Sequence, residues 1–205
     1  MHSAEIKKGR KFDQVVEGAR TVFLRDGFEG ASVDDIARES GVSKATLYSY
    51  FPDKRVLFIE IASREMKRQA DEGAGALDMT APPEVLLPIV GRKLMDYLLS
   101  DFGQAIFRTA VAESDRFPEI GRKFYESGPM LVRDRIAAYL QSCIERGELA
   151  IDDVLLAAEQ FAELCKVRSV LCCTFDSNFT MDAEERDRIV ASAVDMFLAA
   201  YRTTR

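Results

Sequence analysis

Tryptophan is absent from the 205 residues, and histidine occurs once, as His2. A single imidazole beside the terminus removes Ser-His and Cys-His catalytic pairs, since each needs a histidine held against its nucleophile. Cysteine occurs four times, as Cys143, Cys165, Cys172 and Cys173, and never at C-x-x-C spacing. On a helix Cys172 and Cys173 diverge by about 100°, and Cys165 lies about two turns from Cys172. No metal site is therefore expected, and the four read as reduced, buried thiols. The sequence has no G-x-x-x-x-G-K-[ST] or G-x-G-x-x-G loop to cradle a phosphate, so no cofactor is expected. The carboxylate pairs Asp34/Asp35 and Asp152/Asp153 fall at predicted helix starts, where capping accounts for them. Enzymatic chemistry thus has little to build on. No apolar run approaches the roughly 20 residues that span a bilayer. The opening MHSAEIKKGRK lacks the apolar centre of a signal peptide. These absences predict a cytoplasmic protein without a membrane partner.

What is present is helical. The chain is 47% hydrophobic and 30% charged, a balance that suits a folded domain, and its length allows one large or two small ones. Phe12, Val15, Val16, Ala19 and Phe23 repeat with helical spacing, predicting a first helix from Arg10 to Asp26 that Gly27 ends. From Pro82 onward, Gly, Pro and Asp signals divide the chain into helices near 84–99, 103–114, 118–126, 129–146, 152–173 and 183–202. No segment alternates like a strand. The predicted class is all-α.

Ser32–Lys54, SVDDIARESGVSKATLYSYFPDK, carries the densest set of local signals. Ser32 is a good N-cap, and Asp34 and Asp35 suit the positive end of the helix that follows. Gly41 fits the left-handed C′ position that stops that helix. Ser43 caps a second short helix, and Pro52 closes it. Ala37, four residues before Gly41, is small enough for a close helix crossing. Val42 and Leu47 supply apolar contacts, which leaves Lys44, Thr46, Tyr48, Ser49 and Tyr50 free. A short helix with such an outward set is poorly explained by packing and reads as the second element of a helix-turn-helix. Asp53 caps the next helix, and Lys54 and Arg55 in its first turn oppose the helix dipole, a conflict that an external phosphate would relieve.

GVSKATLYSYFPDKRVLF, preceded by SVDDIARESG, resembles the DNA-binding signature of the TetR/AcrR transcriptional regulators. The stretch FGQAIFRTAVAESDRFPEIGRKFYESGP is similar to ligand-binding halves of the AefR-like branch. The resemblance implies a helix-turn-helix DNA-binding domain at residues 1–70, with three helices in its head, and a helical ligand-binding and dimerisation domain at 71–205. It implies DNA contacts by Ser32, Val33, Ser43, Lys44, Ala45, Thr46, Tyr48, Ser49, Tyr50 and Lys54. The basic run Lys7, Lys8, Arg10 and Lys11 is in reach of adjacent phosphates or reads equally as a solvated terminus. Met95, Tyr97, Phe102, Phe107, Phe124, Tyr125, Met130 and Tyr139 are candidates for an apolar ligand pocket, with Arg108, Glu113 or Arg133 as a polar anchor. Phe161, Leu164, Cys165, Leu171, Ile189, Val194, Phe197 and Tyr201 are candidates for a homodimer interface. Each set also reads as plain core.

Charge is divided in a way that agrees. Residues 1–68 carry 13 Lys/Arg against 11 Asp/Glu, and residues 69–205 carry 15 against 23. Exposed charges beyond about 10 Å are screened, so a locally positive head suffices for phosphate contact. The expected function is a dimeric, ligand-responsive repressor that binds a palindromic DNA operator and is released by a small apolar ligand. The alternatives are a DNA-binding regulator without such a ligand, whose C-terminal half only dimerises or binds another protein, and a helical small-molecule carrier; a redox switch through Cys172 or Cys173 is a separate reading.

Overall fold

The computed structural model describes residues 9–75, 77–176 and 178–203; His2, Lys7 and Lys8 lie outside them. By contacts the chain divides into two units. The first holds the chain up to Met66 with Ala105–Tyr125, and the second holds Lys67–Gln104 with the chain from Glu126 onward.

In the first unit, α1 (Arg10–Gly30) buries the stripe Phe12, Val15, Val16, Ala19 and Phe23, and its regular path breaks at Gly27, φ +70°. Phe28 beyond the break packs on Phe58 with ring centroids 4.8 Å apart, and Phe23 meets the same ring at 5.0 Å. The short helices α2 (Val33–Glu39) and α3 (Lys44–Tyr50) follow. Then α4 begins, spanning Lys54–Gly75. A Cβ on Gly18 of α1 would lie 2.2 Å from Ser40 Oγ and 2.7 Å from Ser40 Cα and N. Only glycine admits that approach. Two buried carboxylates of α4 find cations in the same unit: Glu65 pairs with Arg20 at 3.2 Å, and Glu60 with Arg64 and Lys123. Helices α6 (Asp101–Glu113) and α7 (Pro118–Ser127) contribute buried Ile106, Ala110 and Ile120.

The second unit is built from α5 (Pro83–Leu99), α8 (Pro129–Glu145), α9 (Val154–Cys165), α10 (Ser169–Phe175) and α11 (Ala183–Tyr201). Its core joins Leu86, Leu87, Met95, Leu140, Phe161 and Phe197, all nearly inaccessible. Gly91 of α5 lies against α11 and α9, where a Cβ would meet Val190 Cγ1 at 2.8 Å and Cys165 Sγ at 3.2 Å. Burial pushes the Cys165 thiol up to about 12, so it stays protonated at neutral pH. Tyr139 ties α8 to the segment before α5 through a 2.7 Å hydrogen bond to the Ala81 carbonyl. Among the described residues the only extended pairing is an isolated antiparallel bridge, Leu149 with Arg202. The class is all-α, as expected.

One element departs from expectation. The helix predicted over 152–173 is two helices, α9 and α10, although no glycine or proline separates them. Lys166 closes α9, and Arg168 takes φ +69°, which is rare for a residue with a side chain. The break carries Ser169 into the interior, where it is 1% exposed, and its hydroxyl donates to the Lys166 carbonyl at 2.9 Å. That carbonyl would otherwise lack its helical partner. The helices among the described residues include none long and apolar enough to cross a membrane.

Candidate nucleic-acid interface

The α2–α3 corner is assembled by local chemistry. Ser32 Oγ accepts from Asp35 N at 3.0 Å, so α2 starts on a satisfied cap. At its other end Gly41 takes φ +62°. Val42 N then reaches the Ala37 carbonyl at 3.1 Å and Gly41 N the Arg38 carbonyl at 3.2 Å. These two bonds are the Schellman closure, in which orphan carbonyls gain donors from the reversing chain. Two residues on, Ser43 Oγ accepts from Thr46 N at 3.1 Å and caps α3.

Once α3 is started, its seven residues divide by helical spacing. Leu47, 1% exposed, and Phe51 after it, 4% exposed, face the interior one turn apart. Lys44, Ala45, Tyr48 and Ser49 therefore share the opposite, open face. Tyr48 leaves about half its surface, 49%, to solvent although nothing in the fold requires an aromatic ring there. Thr46 and Tyr50 are half-buried at the flanks. Thr46 Oγ1 lies 2.9 Å from Ser43 Oγ, and the Tyr50 ring packs edge-on against Phe12 at 5.6 Å. Ser32, at the cap of α2, is exposed, and Val33 beside it is half-buried. The corner thus presents hydroxyls, one ammonium and one phenol on a short rigid ridge, a set able to donate to phosphates and to both donate to and accept from base edges.

The basic residues of the corner are already engaged. Lys44 Nζ pairs with Asp34, and Arg38 with Asp35. Lys54 Nζ donates to the Phe28 carbonyl at 2.8 Å and the Ala31 carbonyl at 3.1 Å, and lies 4.4 Å from the Phe28 ring centroid. Arg55 pairs with Asp53 at 3.1 Å and Glu113 at 2.8 Å. The unfavourable placement of Lys54 and Arg55 at the start of α4 therefore has partners inside the protein. Sequence reasoning did not anticipate them, because Phe28 and Ala31 are 26 and 23 residues from Lys54, and Glu113 is 58 from Arg55, and only the fold brings them together. Hydrogen bonding from Ser32 and Arg38 holds the Asp35 carboxyl below the usual range.

The candidate pocket residues fall in different places. Met95 and Tyr139 belong to the core of the second unit, at 0% and 2% exposure. Tyr97, in the same unit, has a buried hydroxyl without a hydrogen-bond partner among the described residues, and burial raises its pKa. Phe102 and Met130 are half-buried there. Phe107 and Phe124 stack edge-on at 6.1 Å in the first unit, where Tyr125 is exposed. Of the candidate anchors, Glu113 is held by Arg55, and Arg133 by Asp134 and Glu159. Clefts of about 190 and 220 Å³ lie elsewhere, along α9–α11, the first lined by Arg168, Cys172 and Met181 and the second by Leu164, Val167 and Met196.

The candidate dimer residues divide as well. Phe161, Cys165, Ile189, Val194 and Phe197 are interior to their own chain, with Phe161 and Phe197 in edge contact at 5.5 Å. A side chain without accessible area in its own chain has none to offer a partner. Leu164 is half-buried, and Tyr201, also half-buried, donates to Gln160 at 2.6 Å. Leu171 is 69% exposed. It lies between Val167 and Phe175, also exposed, at four-residue intervals, and Phe175 reaches 85%.

Comparison with known proteins identifies the family. The family described as bacterial regulatory proteins, tetR family, matches residues 15–61, and the AefR-like transcriptional repressor C-terminal domain matches residues 85–203. A TetR-family regulator from Mesorhizobium loti superposes with a TM-score of 0.80 at 28% identity, over 97% of this chain and all of that one. The flavonoid-responsive regulator FrrA superposes at 0.69 with 30% identity over the same shares. The HTH-type regulator YfiR of Bacillus subtilis is 27% identical over 146 residues, 69% of each chain. The repressor AcnR of Corynebacterium diphtheriae is 35% identical over 77 residues, 35% of this chain and 40% of its own.

Proposed function

The chain belongs to the TetR family of bacterial transcriptional regulators, which are not enzymes, and from that premise we propose that it is a homodimeric repressor released from a palindromic operator by a small, largely apolar ligand. The open face of α3 carries the proposal. Lys44, Ala45, Tyr48 and Ser49 stand clear on a helix anchored by Leu47, with Thr46 and Tyr50 at its flanks. Ser32, Val33 and Ser43 offer backbone and hydroxyl donors at two helix starts. An ammonium has three hydrogens; Lys54 uses two on carbonyls, and its third is free to meet a phosphate. Residues 1–70 are assigned to DNA binding, and 71–205 to ligand binding and dimerisation. Two copies would set their recognition helices about 34–36 Å apart, one turn of DNA.

Support for a second copy comes from exposed apolar residues carried by α9–α11 and the links between them, among them Leu155, Leu156, Val167, Leu171, Phe175 and Met196. So many exposed apolar side chains in one unit favour burial against a second copy. For the ligand, the flavonoid response of FrrA favours an aromatic compound with a few polar groups, and Tyr97 offers it an unpartnered hydroxyl. Such a protein acts in the cytoplasm, on the nucleoid when DNA-bound.

Selection from a random-sequence duplex library, followed by titration of the selected duplex with a flavonoid, tests all parts of the reading. The expected results are an inverted repeat, a dimer by sedimentation on and off DNA, and dissociation on adding flavonoid. A monomer bound to an asymmetric site removes the dimer. Retention of DNA at saturating flavonoid removes that ligand class.

A further inference from the structure

The helix-turn-helix corner carries its own counter-charge, and its place is the informative feature. On the open side of α2 and α3 the cations are Arg38 and Lys44. Each is paired with a carboxylate of α2, Arg38 with Asp35 and Lys44 with Asp34. The Asp34–Lys44 pair joins the first turn of α2 to the first turn of α3, with side chains 63% and 59% exposed. It therefore lies on the surface that a duplex would cover. By contrast Arg10 and Lys11, in the first turn of α1, have no ion-pair or hydrogen-bond partner among the described residues, and Lys54 is met by two carbonyls and the Phe28 ring rather than by a carboxylate.

Asp34, in the first turn of α2, suits the positive end of that helix, but this does not require its pairing with Lys44. The cap of α2 is Ser32, and the carboxylate that engages Ser32 is Asp35, whose Oδ2 accepts from Ser32 Oγ at 2.5 Å. An exposed ion pair is held weakly and adds little to stability. Its effect on a polyanion is larger. Affinity for DNA of any sequence rises with each phosphate a cation neutralises, through release of condensed counterions. A carboxylate in contact with Lys44 is well inside the 8–10 Å over which charge is felt at physiological salt. It cancels the gain that Lys44 would otherwise bring on every sequence alike. Base-edge hydrogen bonds from the ridge of α3 form only on the right sequence and are untouched by it.

Resting on the reading of α3 as the recognition helix, we infer that Asp34 is a specificity-determining residue: its pair with Lys44 suppresses sequence-independent DNA binding. The corner is close to neutral where it faces bases, and unpaired positive charge is left to α1 and Lys54.

The test measures binding to a 30-base-pair random-sequence duplex and to the library-selected duplex, as a function of salt, for the wild-type chain and three variants. Asp34→Asn should bind the random duplex about 5–10-fold more tightly near 0.1 M salt, with a salt slope about one unit steeper. Its preference for the selected duplex should fall. Lys44→Gln, which leaves Asp34 uncompensated, should bind the random duplex several-fold more weakly. The double variant should return to within about twofold of wild type on that duplex. Asp34→Ala gives a second removal of the charge, and thermal unfolding of each variant separates a binding change from loss of fold. Random-duplex affinity that is unchanged or lower in both Asp34 variants, with unfolding temperatures retained, overturns the inference. A wild-type chain that binds the random duplex but selects no sequence, or binds no duplex at all, overturns the underlying reading instead, whatever Asp34 does.

Discussion

The two units solve the same packing problem with different parts. In the first, chain reversals are set by single residues with one conformational task each: Ser32 and Ser43 as caps, Gly27 and Gly41 at positive φ, Gly18 where Ser40 passes. In the second, wide apolar faces of α5, α8, α9 and α11 share a core in which many side chains do similar work. The second unit has single-task positions too, Gly147 at positive φ and Asp153 and Asp182 as caps, but its core is shared among long helices. The sharply defined surface of the first suits a head that binds DNA.

The largest expected effect falls where the units are alike. Phe58→Ala in the first and Phe161→Ala in the second each remove a ring that is 1% and 0% exposed. Each should cost about 3–5 kcal/mol in urea unfolding. A cost below about 2 kcal/mol for Phe161 alone would mean that the second core closes around the void, and would widen the contrast between the units.

Glycine substitution should separate the units. In Gly18→Ala the new methyl meets the backbone of Ser40, which cannot rotate away, and about 1–3 kcal/mol should be lost. In Gly91→Ala the nearest atoms are the Val190 and Cys165 side chains, which can shift, so the loss should be smaller. Comparing the two unfolding midpoints checks this directly. Equal losses would show that both crossings are equally rigid. Tyr48→Ala acts on function alone: specific binding should weaken by about 1–3 kcal/mol with the unfolding midpoint unchanged. Undiminished affinity for the selected duplex would remove Tyr48 from the interface.

The same contrast governs how much of the molecule could be read from its sequence. The caps and the turn of the helix-turn-helix were legible to the residue, because capping and left-handed glycine are local chemistry written within four or five positions. The all-α class and most helix limits were legible from periodicity. The break between α9 and α10 was not, since Lys166, Val167 and Arg168 include neither glycine nor proline, and what places Ser169 inside is tertiary. Nor was the role of Gly18, whose partner Ser40 is 22 positions away. The stripes of the last helices marked Phe161, Cys165 and Phe197 as buried without saying by what, and they turned out to be buried by their own chain. Apolar periodicity reports burial; only packing says against which surface.

Lys54 is where the smallest effect is expected and where the two kinds of reading meet. Its ammonium lies over the Phe28 ring and donates to two carbonyls at the end of α1. Replacing it by Met keeps the stem and removes the donors, leaving the Phe28 and Ala31 carbonyls without that charge-assisted bond, at a cost of about 1 kcal/mol for a partly exposed site. If the third hydrogen of the ammonium meets a phosphate, Lys54→Met also flattens the salt slope by about one unit and weakens selected and random duplexes in equal proportion. A stability loss with an unchanged slope would assign Lys54 wholly to the fold. A flattened slope without a stability loss would mean that the carbonyls are indifferent to it, and that its position at the start of α4 serves DNA. The expected result is both together, because a lysine held by two of its three hydrogens keeps its charge at the surface while its position is fixed.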